Sequence, residues 1–298
     1  MASPLTIHAL PEQLRRPVLI MAFAGWNDAS EAATTAARTL ARAWSAERFA
    51  TIDPEEFYHF GLSRPHIRFK AGSRTEREVI WPATEFSAAS VPELDRDVIV
   101  GVAIEPHLKW KTYCGLILEL ARRCRVSLVL TLGALLADVA HTRPVSVTGT
   151  TSDRELAAML GIRPTRYEGP TGIVGVLNTT CREQGMPTAS LWANVPHYIS
   201  GTENPKAALV LVQRVAEFLH ASVDLSDLEE EARQFEQNLA EIVARNAEIA
   251  AYVKRLEAKG AEEDGPPLSP REELPPASDL LAEIEQFLRQ QHPGDPKD

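Results

Sequence analysis

The side chains best suited to chemistry in this sequence are polar residues that come just after short apolar segments. Carboxylates, amides and imidazoles in such positions can bind a ligand or transfer protons. The carboxyl ends of parallel strands lie on one edge of a sheet, so we expect these side chains to meet there and line a ligand pocket. The set consists of Asn27, Asp28, Glu105, His141, Arg143 and His197, joined by Tyr167, Glu168 and Thr171 at a predicted helix start.

Each of these residues also has a structural interpretation. Asp28 stands where it would cap the helix that follows it, and this is the interpretation we favour for Asp28. His141 and His197 would be held by buried carboxylates or carbonyl groups, and Arg143 would pair with Glu168. The shared edge predicts a pocket more strongly than it predicts catalysis, so we assign no catalytic residue.

The sequence lacks the short motifs that mark nucleotide-binding loops, zinc proteases and serine hydrolases. GxGxxG, GxxxxGK[ST], HExxH and GxSxG are all absent. No two histidines stand four residues apart on a predicted helix, and the cysteines are not spaced as metal ligands. We therefore predict no cofactor and no metal ion. Trp26, Trp110 and Trp192 are interpreted as packing residues.

Apolar, β-branched segments alternate with helical patterns over residues 1–221. This alternation is typical of an α/β fold with a mostly parallel central sheet and covering helices. We therefore interpret residues 1–221 as one α/β domain. The predicted strands are 18–23, 66–70, 78–81, 97–103, 126–132, 145–148 and 188–192. The predicted helices are 30–44, 112–124, 153–160, 171–184 and 205–220.

Residues 222–298 follow a different pattern and are predicted to form an acidic helical tail. Apolar residues recur there at alternating spacings of three and four, which predicts one long helix over 226–259 with a narrow seam facing another helix. A proline-rich linker over 260–277 and a short helix over 278–291 follow it. The seam is expected to pack on that short helix or on a second copy of the chain. Its residues are Leu228, Phe235, Leu239, Ile242, Asn246, Ile249 and Leu256.

Asn246 is the polar residue within this seam. An Asn at such a position can fix the register or the number of packed helices, and it can equally lie exposed near a splayed helix end. Both interpretations stay open. The start of the helix is predicted from the capping-box pattern of Ser226 and Glu229.

Charge is unevenly distributed along the 298 residues. Residues 1–220 contain 23 basic and 22 acidic side chains, whereas residues 221–298 contain 8 and 19. Phosphate groups would repel this tail, which argues against a nucleic-acid or anionic-membrane partner. The tail suits a basic protein surface or a solvated helix face. Three cysteines, an odd number, and the lack of an apolar stretch of about 18 residues predict a cytoplasmic protein.

Several longer strings of the sequence are distinctive as a set. They are Gly25-Trp-Asn-Asp-Ala-Ser30, Glu105-Pro106, Leu132-Gly-Ala-Leu-Leu-Ala-Asp138, His141-Thr-Arg-Pro144, Tyr167-Glu-Gly-Pro-Thr-Gly172 and Ser190-Leu-Trp-Ala193 with Pro196-His-Tyr198. Together they resemble the proteasome assembly chaperone 2 family, in particular its high-GC bacterial branch. The resemblance implies a phosphorylase/hydrolase-like three-layer α/β sandwich that forms homo-oligomers in several relatives. It also implies a chaperone role, because eukaryotic members assist assembly of the proteasome α-ring.

Two functions are consistent with these observations. We favour a non-enzymatic protein-binding or assembly-factor-like protein that forms homo-oligomers and binds a proteasome-related protein, with the tail seam as a contact surface. The alternative is an enzyme or a binder of a small nucleotide- or nucleoside-type ligand. A phosphorylase-like scaffold often holds nucleosides or phosphate, although a fold alone does not determine function.

Overall fold

A computed structural model describes residues 3–11, 14–164 and 167–262, and in it one mixed β-sheet lies between two layers of helices. The strands, in chain order, are β1 (Leu5–Ile7), β2 (Val18–Ala24), β3 (Glu47–Ile52), β4 (His66–Phe69), β5 (Arg77–Ile80), β6 (Thr84–Ala89), β7 (Val98–Ile104), β8 (Leu128–Ala137), β9 (Val147–Thr151), β10 (Arg163–Pro164) and β11 (Thr188–Pro196). The helices are α1 (Ala32–Ala43), α2 (Trp110–Arg123), α3 (Arg154–Met159), α4 (Ile173–Glu183), α5 (Pro205–Leu219), α6 (Ser226–Arg245) and α7 (Ala247–Glu262). Short 3-10 turns occupy Ala29–Glu31 and His197–Ile199.

Four parallel strands form the centre of the large sheet, in the order β7-β2-β8-β11. Their side chains alternate between two cores. In β2, Leu19 and Met21 pack with α2 and α4, while Val18 and Ile20 pack with α1 and α5. Because both faces are covered, these strands are continuous apolar runs in the sequence. The α/β sandwich predicted from the sequence, with helices on both faces of the sheet, is confirmed.

Antiparallel strands extend the sheet beyond this parallel centre. The full order is β1-β3-β6-β7-β2-β8-β11-β9-β10, in which β1, β3 and β6 run antiparallel to their neighbours and β9 runs antiparallel to β11. The sequence did not predict β1, β3 or β6. These strands are short and carry exposed polar residues, such as Arg48 and Glu85, which form an ion pair across β3 and β6 at 2.6 Å. In the sequence, such half-exposed strands have no continuous apolar run, so they resemble loops.

Strands β4 and β5 form a separate hairpin outside the large sheet. Both were predicted as strands. Every residue of β4 is exposed, and an ion pair joins Arg68 to Glu78 across the two strands at 2.8 Å. At the base of the hairpin, Trp81 packs edge-on against Phe60 with 4.9 Å between ring centroids. We call residues 64–81 the β4–β5 hairpin.

The predicted single helix over 226–259 is wrong, because the chain breaks at Asn246 into α6 and α7. Asn246 has an extended backbone, and its side-chain oxygen accepts hydrogen bonds from the backbone N–H groups of Glu248 at 2.9 Å and Ile249 at 3.2 Å. An Asn side chain can replace the backbone partners that a first helical turn lacks, so it favours a new helix start over continuation. Neither interpretation of Asn246 from the sequence included this role.

The start of α6 also differs from the prediction. Ser226 is the first helical residue rather than the cap, and the carboxylate of Asp224 accepts hydrogen bonds from its N–H at 3.0 Å and its hydroxyl at 2.7 Å. The predicted capping box with Glu229 is therefore replaced by a cap from the preceding acidic residue.

The apolar seam of the tail packs inside this chain. Leu228 joins the core formed with α1 and α5, and the later seam residues surround Ala140, Tyr198 and Ile199 of the α/β part. The seam residues in this cluster are Phe235, Leu239, Ile242, Ile249 and Leu256, and Val253 packs with them. Helices α6 and α7 thus form a cap on the α/β part, and we call them the helical cap. Most of the predicted linker over 260–277 and the whole predicted helix over 278–291 lie outside the described residues.

The cap that Asn246 provides for α7 can be tested by substitution. Asn246→Ala removes the acceptor of two N–H groups and should lower the free energy of unfolding by about 1 kcal/mol. Asn246→Asp keeps the acceptor and adds a negative charge at a helix N-terminus, so it should retain the stability. Urea denaturation measures both. A gain in stability for Asn246→Ala would mean that the sequence prefers one continuous helix, contrary to the structure.

Candidate functional site

The polar residues selected from the sequence lie along one edge of the sheet, where the parallel strands β2, β7, β8 and β11 end. We call this edge the rim. Their contacts divide into two groups. Asn27 and Glu105 meet after β2 and β7, whereas His141 and His197, after β8 and β11, each contact Tyr198. The single pocket predicted from the sequence is therefore two clusters of side chains.

Glu105 holds the first cluster together. One of its carboxylate oxygens accepts hydrogen bonds from the side-chain amide of Asn27 and from the backbone N–H of Ile173, both at 2.7 Å. Ile173 is the first residue of α4, so the carboxylate occupies the positive end of that helix. Asn27 is fully buried, and its backbone carbonyl accepts a hydrogen bond from the N–H of Ala134 at 2.9 Å. Loops after β2 and β7 are thereby fixed to β8 and α4.

Gly172 makes this contact possible because it leaves room beside the two polar side chains. A β-carbon at position 172 would stand 2.3 Å from the Asn27 side-chain oxygen and 2.8 Å from the Glu105 carboxylate. Both distances are too short for a methyl group. The string from Tyr167 to Gly172, quoted above, therefore ends in a glycine for a steric reason.

The carboxylate of Asp28 is hydrogen-bonded to the first turn of α1. It accepts hydrogen bonds from the N–H groups of Ala33 at 2.6 Å and Thr34 at 3.2 Å, and from the Thr34 hydroxyl at 2.5 Å. Burial raises the pKa of Asp28, and the hydrogen bonds from Thr34 and Ala33 act in the opposite direction. These contacts match the capping role that we favoured over catalysis.

The second cluster joins four rings where the helical cap meets the rim. Tyr198 packs edge-on against His141, His197 and Tyr252, with ring centroids 5.6–5.9 Å apart. The Tyr198 hydroxyl accepts a hydrogen bond from the backbone N–H of His141 at 2.8 Å and lies 2.7 Å from its Nδ1. A hydroxyl that accepts there can donate to Nδ1, which requires a neutral imidazole with its proton on Nε2.

His197 connects the rim to α7. Its Nδ1 lies 3.3 Å from a carboxylate oxygen of Asp138, and its Nε2 lies 3.0 Å from the hydroxyl of Tyr252. Burial and the nearby Asp138 raise the pKa of Tyr252, so its hydroxyl is less acidic than usual. Tyr252 lies on α7, so the hydrogen bond between its hydroxyl and His197 joins the helical cap to the rim. The arrangement therefore suits a contact that holds the cap.

Polar contacts at the margin of the cap support the same role. The Lys206 ammonium donates to the backbone carbonyls of His141 at 2.7 Å and Arg143 at 3.1 Å, and it pairs with Glu236 of α6 at 2.6 Å. The Thr142 hydroxyl donates to Glu257 of α7 at 2.5 Å. The loop after β8 is thus bound to α5, α6 and α7 together.

The remaining predicted residues lie on the surface. The side chains of Arg143, Glu168 and Thr171 are exposed, and the Tyr167 hydroxyl donates to the carbonyl of Pro170 at 3.0 Å. Sequence reasoning assigned no role to Tyr252 or Lys206. No sequence pattern predicts the role of Tyr252, because its position beside His197 depends on the turn at Asn246.

Large apolar side chains are exposed on the part of the rim that the cap leaves open. Trp26, Leu108, Leu136 and Tyr167 each keep between 39% and 60% of their surface exposed. They stand on the loops after β2 and β7, at the end of β8 and before α4. The interpretation of Trp26 as a packing residue is wrong, whereas Trp110 and Trp192 do pack against the core. We call these four residues the open rim patch.

Groups suited to covalent or metal chemistry are scarce in the described residues. Cys114, Cys124 and Cys181 are free and buried, and burial raises the pKa of Cys114 and Cys181 to about 12. Such thiols are poor nucleophiles. In residues 3–11, 14–164 and 167–262, no three His, Cys, Asp or Glu side chains are grouped so that they could bind a metal ion. Within those ranges, no helix is long and apolar enough to cross a membrane.

This chain is similar to known proteins in sequence and in fold. The model of the PAC2 family matches residues 22–243. A PAC2 family protein from Streptomyces avermitilis is 41% identical, with a TM-score of 0.72 over 80% of this chain and 99% of that chain. A proteasome-assembly chaperone homologue from Mycobacterium tuberculosis is 42% identical, with a TM-score of 0.72 over 79% of this chain and 99% of that chain.

A second Mycobacterium tuberculosis structure, of a protein of unknown function, is 27% identical over 96% of both chains, with a TM-score of 0.77. No curated protein matches the sequence.

Substitution of Gly172 tests the contact between Asn27, Glu105 and α4. Gly172→Ala places a methyl group against both polar side chains and should lower the free energy of unfolding by about 1–3 kcal/mol. Gly115→Ala is a matched control, because it lies inside α2 with nothing within 4 Å of the added carbon. The control should gain up to about 1 kcal/mol. Equal effects at the two positions in urea denaturation would contradict the steric role of Gly172.

The pH dependence of stability tests the buried state of His141. Burial lowers the pKa of His141 to about 4, with Lys206 acting in the same direction and Glu257 and Glu236 opposing it. The unfolded chain takes up this proton near pH 6.5, so the contribution of His141 is complete above that pH and is lost between about 6.5 and 4. Between pH 7.5 and 5, the wild type should lose about 2 kcal/mol more than His141→Gln. If the urea midpoint changed with pH by the same amount in both proteins, His141 would protonate freely in the folded state.

Proposed function

The chain belongs to the PAC2 family, and on this basis we propose that it is a non-enzymatic protein-binding factor of the proteasome-assembly type. The observation that carries the proposal is its 42% identity to a proteasome-assembly chaperone homologue, of which it spans 99%. The proposal includes a proteasome-related protein as the partner. It also includes a cytoplasmic location, in which three free thiols remain reduced.

The open rim patch is the surface that we assign to the partner. Exposed apolar patches of a few hundred Å² on one protein commonly mark sites where another protein binds. Trp26 and Tyr167 are aromatic residues with a polar group, a type that is enriched in the energetic centres of interfaces. The surrounding loops are fixed by the Glu105 contacts, so the patch is preorganised. A preorganised surface loses less conformational entropy on binding.

Self-association is part of the proposal, but its surface differs from the one expected from the sequence. The seam side chains that were expected to face a second copy are buried in one chain. An interface between copies must therefore use other parts of the surface.

The alternative, a binder of a small nucleotide- or nucleoside-type ligand, has less support from the site. Phosphate groups often bind at helix N-termini, yet the N-terminus of α4 already holds the Glu105 carboxylate. His141 and His197 are buried and hydrogen-bonded beneath the helical cap. In both clusters, side chains that could bind a ligand are hydrogen-bonded within the chain.

Binding to purified proteasome α subunits tests the proposal. The wild type should bind them, and the double variant Trp26→Glu with Leu136→Glu should bind at least about tenfold more weakly, because charge replaces the apolar centre of the patch. Met159→Glu is the matched control, since Met159 is an equally exposed apolar residue on α3, away from the rim. Biolayer interferometry measures the affinities, and light scattering on the same samples measures self-association. No binding by the wild type, or equal binding by all three proteins, would contradict the proposal.

A further inference from the structure

The β4–β5 hairpin exposes an apolar face that nothing in the described residues covers. Ile67 stands opposite Val79, and Phe69 stands two residues from Ile67 on the same face of β4. Each of these side chains is at least 47% exposed, as is Trp81 at the end of β5. The other face carries the ion pair of Arg68 and Glu78. The hairpin is therefore an amphipathic ribbon with its apolar side directed outward.

An uncovered ribbon of this kind is unfavourable. Two strands alone are only marginally stable in water, and burial of one face against another element is what stabilises them. Large side chains of about 150–250 Å² that are half exposed leave roughly 400 Å² of apolar surface on this face. That area is typical of the largest apolar patch on a soluble monomer, about 300–600 Å², and such patches are often functional.

The hairpin is also basic. Residues 64–81 contain five basic side chains, at positions 64, 68, 70, 74 and 77, and two acidic ones, Glu76 and Glu78. Both acidic residues are already paired, with Lys70 at 3.1 Å and with Arg68 at 2.8 Å. The guanidinium of Arg77 lies over the ring of Phe69, 5.1 Å from its centre, and so borders the apolar face directly. A matching surface would be apolar and acidic.

The chain itself contains a segment with these properties. Residues 279–288 have three acidic side chains, Asp279, Glu283 and Glu285, and no basic one. Their apolar residues recur at the spacing of one helix face. Those apolar residues are Leu280, Leu281, Ile284, Phe287 and Leu288.

We propose that residues 279–288 dock on the apolar face of the β4–β5 hairpin of the same chain, with their acidic side chains toward its arginines. The connection 263–278 can span about 50 Å when extended, at about 3.3 Å per residue. Its five prolines favour an extended chain. Docking would pair two apolar surfaces that water otherwise covers, and would bring together opposite charges.

Other occupants match the hairpin less well. Two copies of the hairpin packed face to face would bring together two surfaces that each carry a surplus of three positive charges. Nucleic acid would match the charge but not the apolar face, and the chain as a whole has a net charge of −10. The acidic segment matches both properties.

Chemical cross-linking of the full-length protein tests the docking. Val79→Cys combined with Ile284→Cys places one thiol in each surface for a short bis-maleimide. The native cysteines should react little, because they are buried and burial raises the pKa of each thiol. We expect the main cross-link to join positions 79 and 284 within one chain. Leu108→Cys with Ile284→Cys is the control, since Leu108 is as exposed but lies on the rim.

The yield of the cross-link should also depend on the apolar and the electrostatic contacts of the docked segment. Adding Phe69→Glu, or raising the salt concentration to 0.5 M, should reduce the yield, by roughly tenfold for Phe69→Glu if about 1.4 kcal/mol of contact is lost. A yield no higher than the control, or one unchanged by Phe69→Glu, would overturn the proposal. Cross-links found only between chains, in a mixture of isotopically labelled and unlabelled protein, would assign the segment to a second copy and would also overturn it.

Hydrogen exchange gives an independent measurement without introduced cysteines. Leu280→Glu with Phe287→Glu should release the segment and increase amide exchange in β4 and β5, while exchange in the loop around Trp26 stays unchanged. Unaltered exchange in the hairpin would count against docking. Neither experiment depends on binding of a proteasome subunit, so this proposal and the proposed function can fail separately.

Discussion

Hydrogen bonds hold the polar side chains at the ends of the four parallel strands, and the rest of the structure depends on where their partners lie. A buried polar group without a partner lowers stability, and in the described residues the side-chain oxygens of Asn27 and Asn194 are such groups. At β2 and β7 the partners come from the α/β part itself, where Glu105 joins Asn27 to the first turn of α4. At β8 and β11 they come from the helical cap, through Tyr252 and Glu257.

This division explains why one half of the rim is covered by the helical cap and the other half is exposed. The capped half contains the histidines, and their hydrogen bonds hold α7 in place rather than facing a cavity. The open half lacks a cap, and there the side chains of Trp26 and Tyr167 are exposed beside loops that Glu105 holds in place. Exposed aromatic side chains on preorganised loops suit recognition of a protein, because aromatic residues are enriched in protein interfaces. The physical arrangement and the family membership therefore favour the same kind of function.

The sequence predicted the parts of the fold that depend on local pattern. The central strands were predicted because both of their faces are buried, which leaves continuous apolar runs, and the capping role of Asp28 followed from its position before a helix. The rest depends on contacts between distant residues. Heptad spacing shows that a helix has an apolar face, but the same face can pack on Tyr198 and Ile199 as readily as on another helix. Exposure of Trp26 likewise depends on which helices cover the rim, and the residue type alone favours burial.

The central claim is that the open half of the rim binds a protein while the capped half maintains the fold. Hydrogen exchange of this chain, measured with and without purified proteasome α subunits, tests it most directly. The account predicts slower exchange in the loops around Trp26, Leu108 and Tyr167 and at the end of β8, with α6 and α7 unchanged. Protection confined to the helical cap, or no protection at any position under saturating conditions, would contradict it.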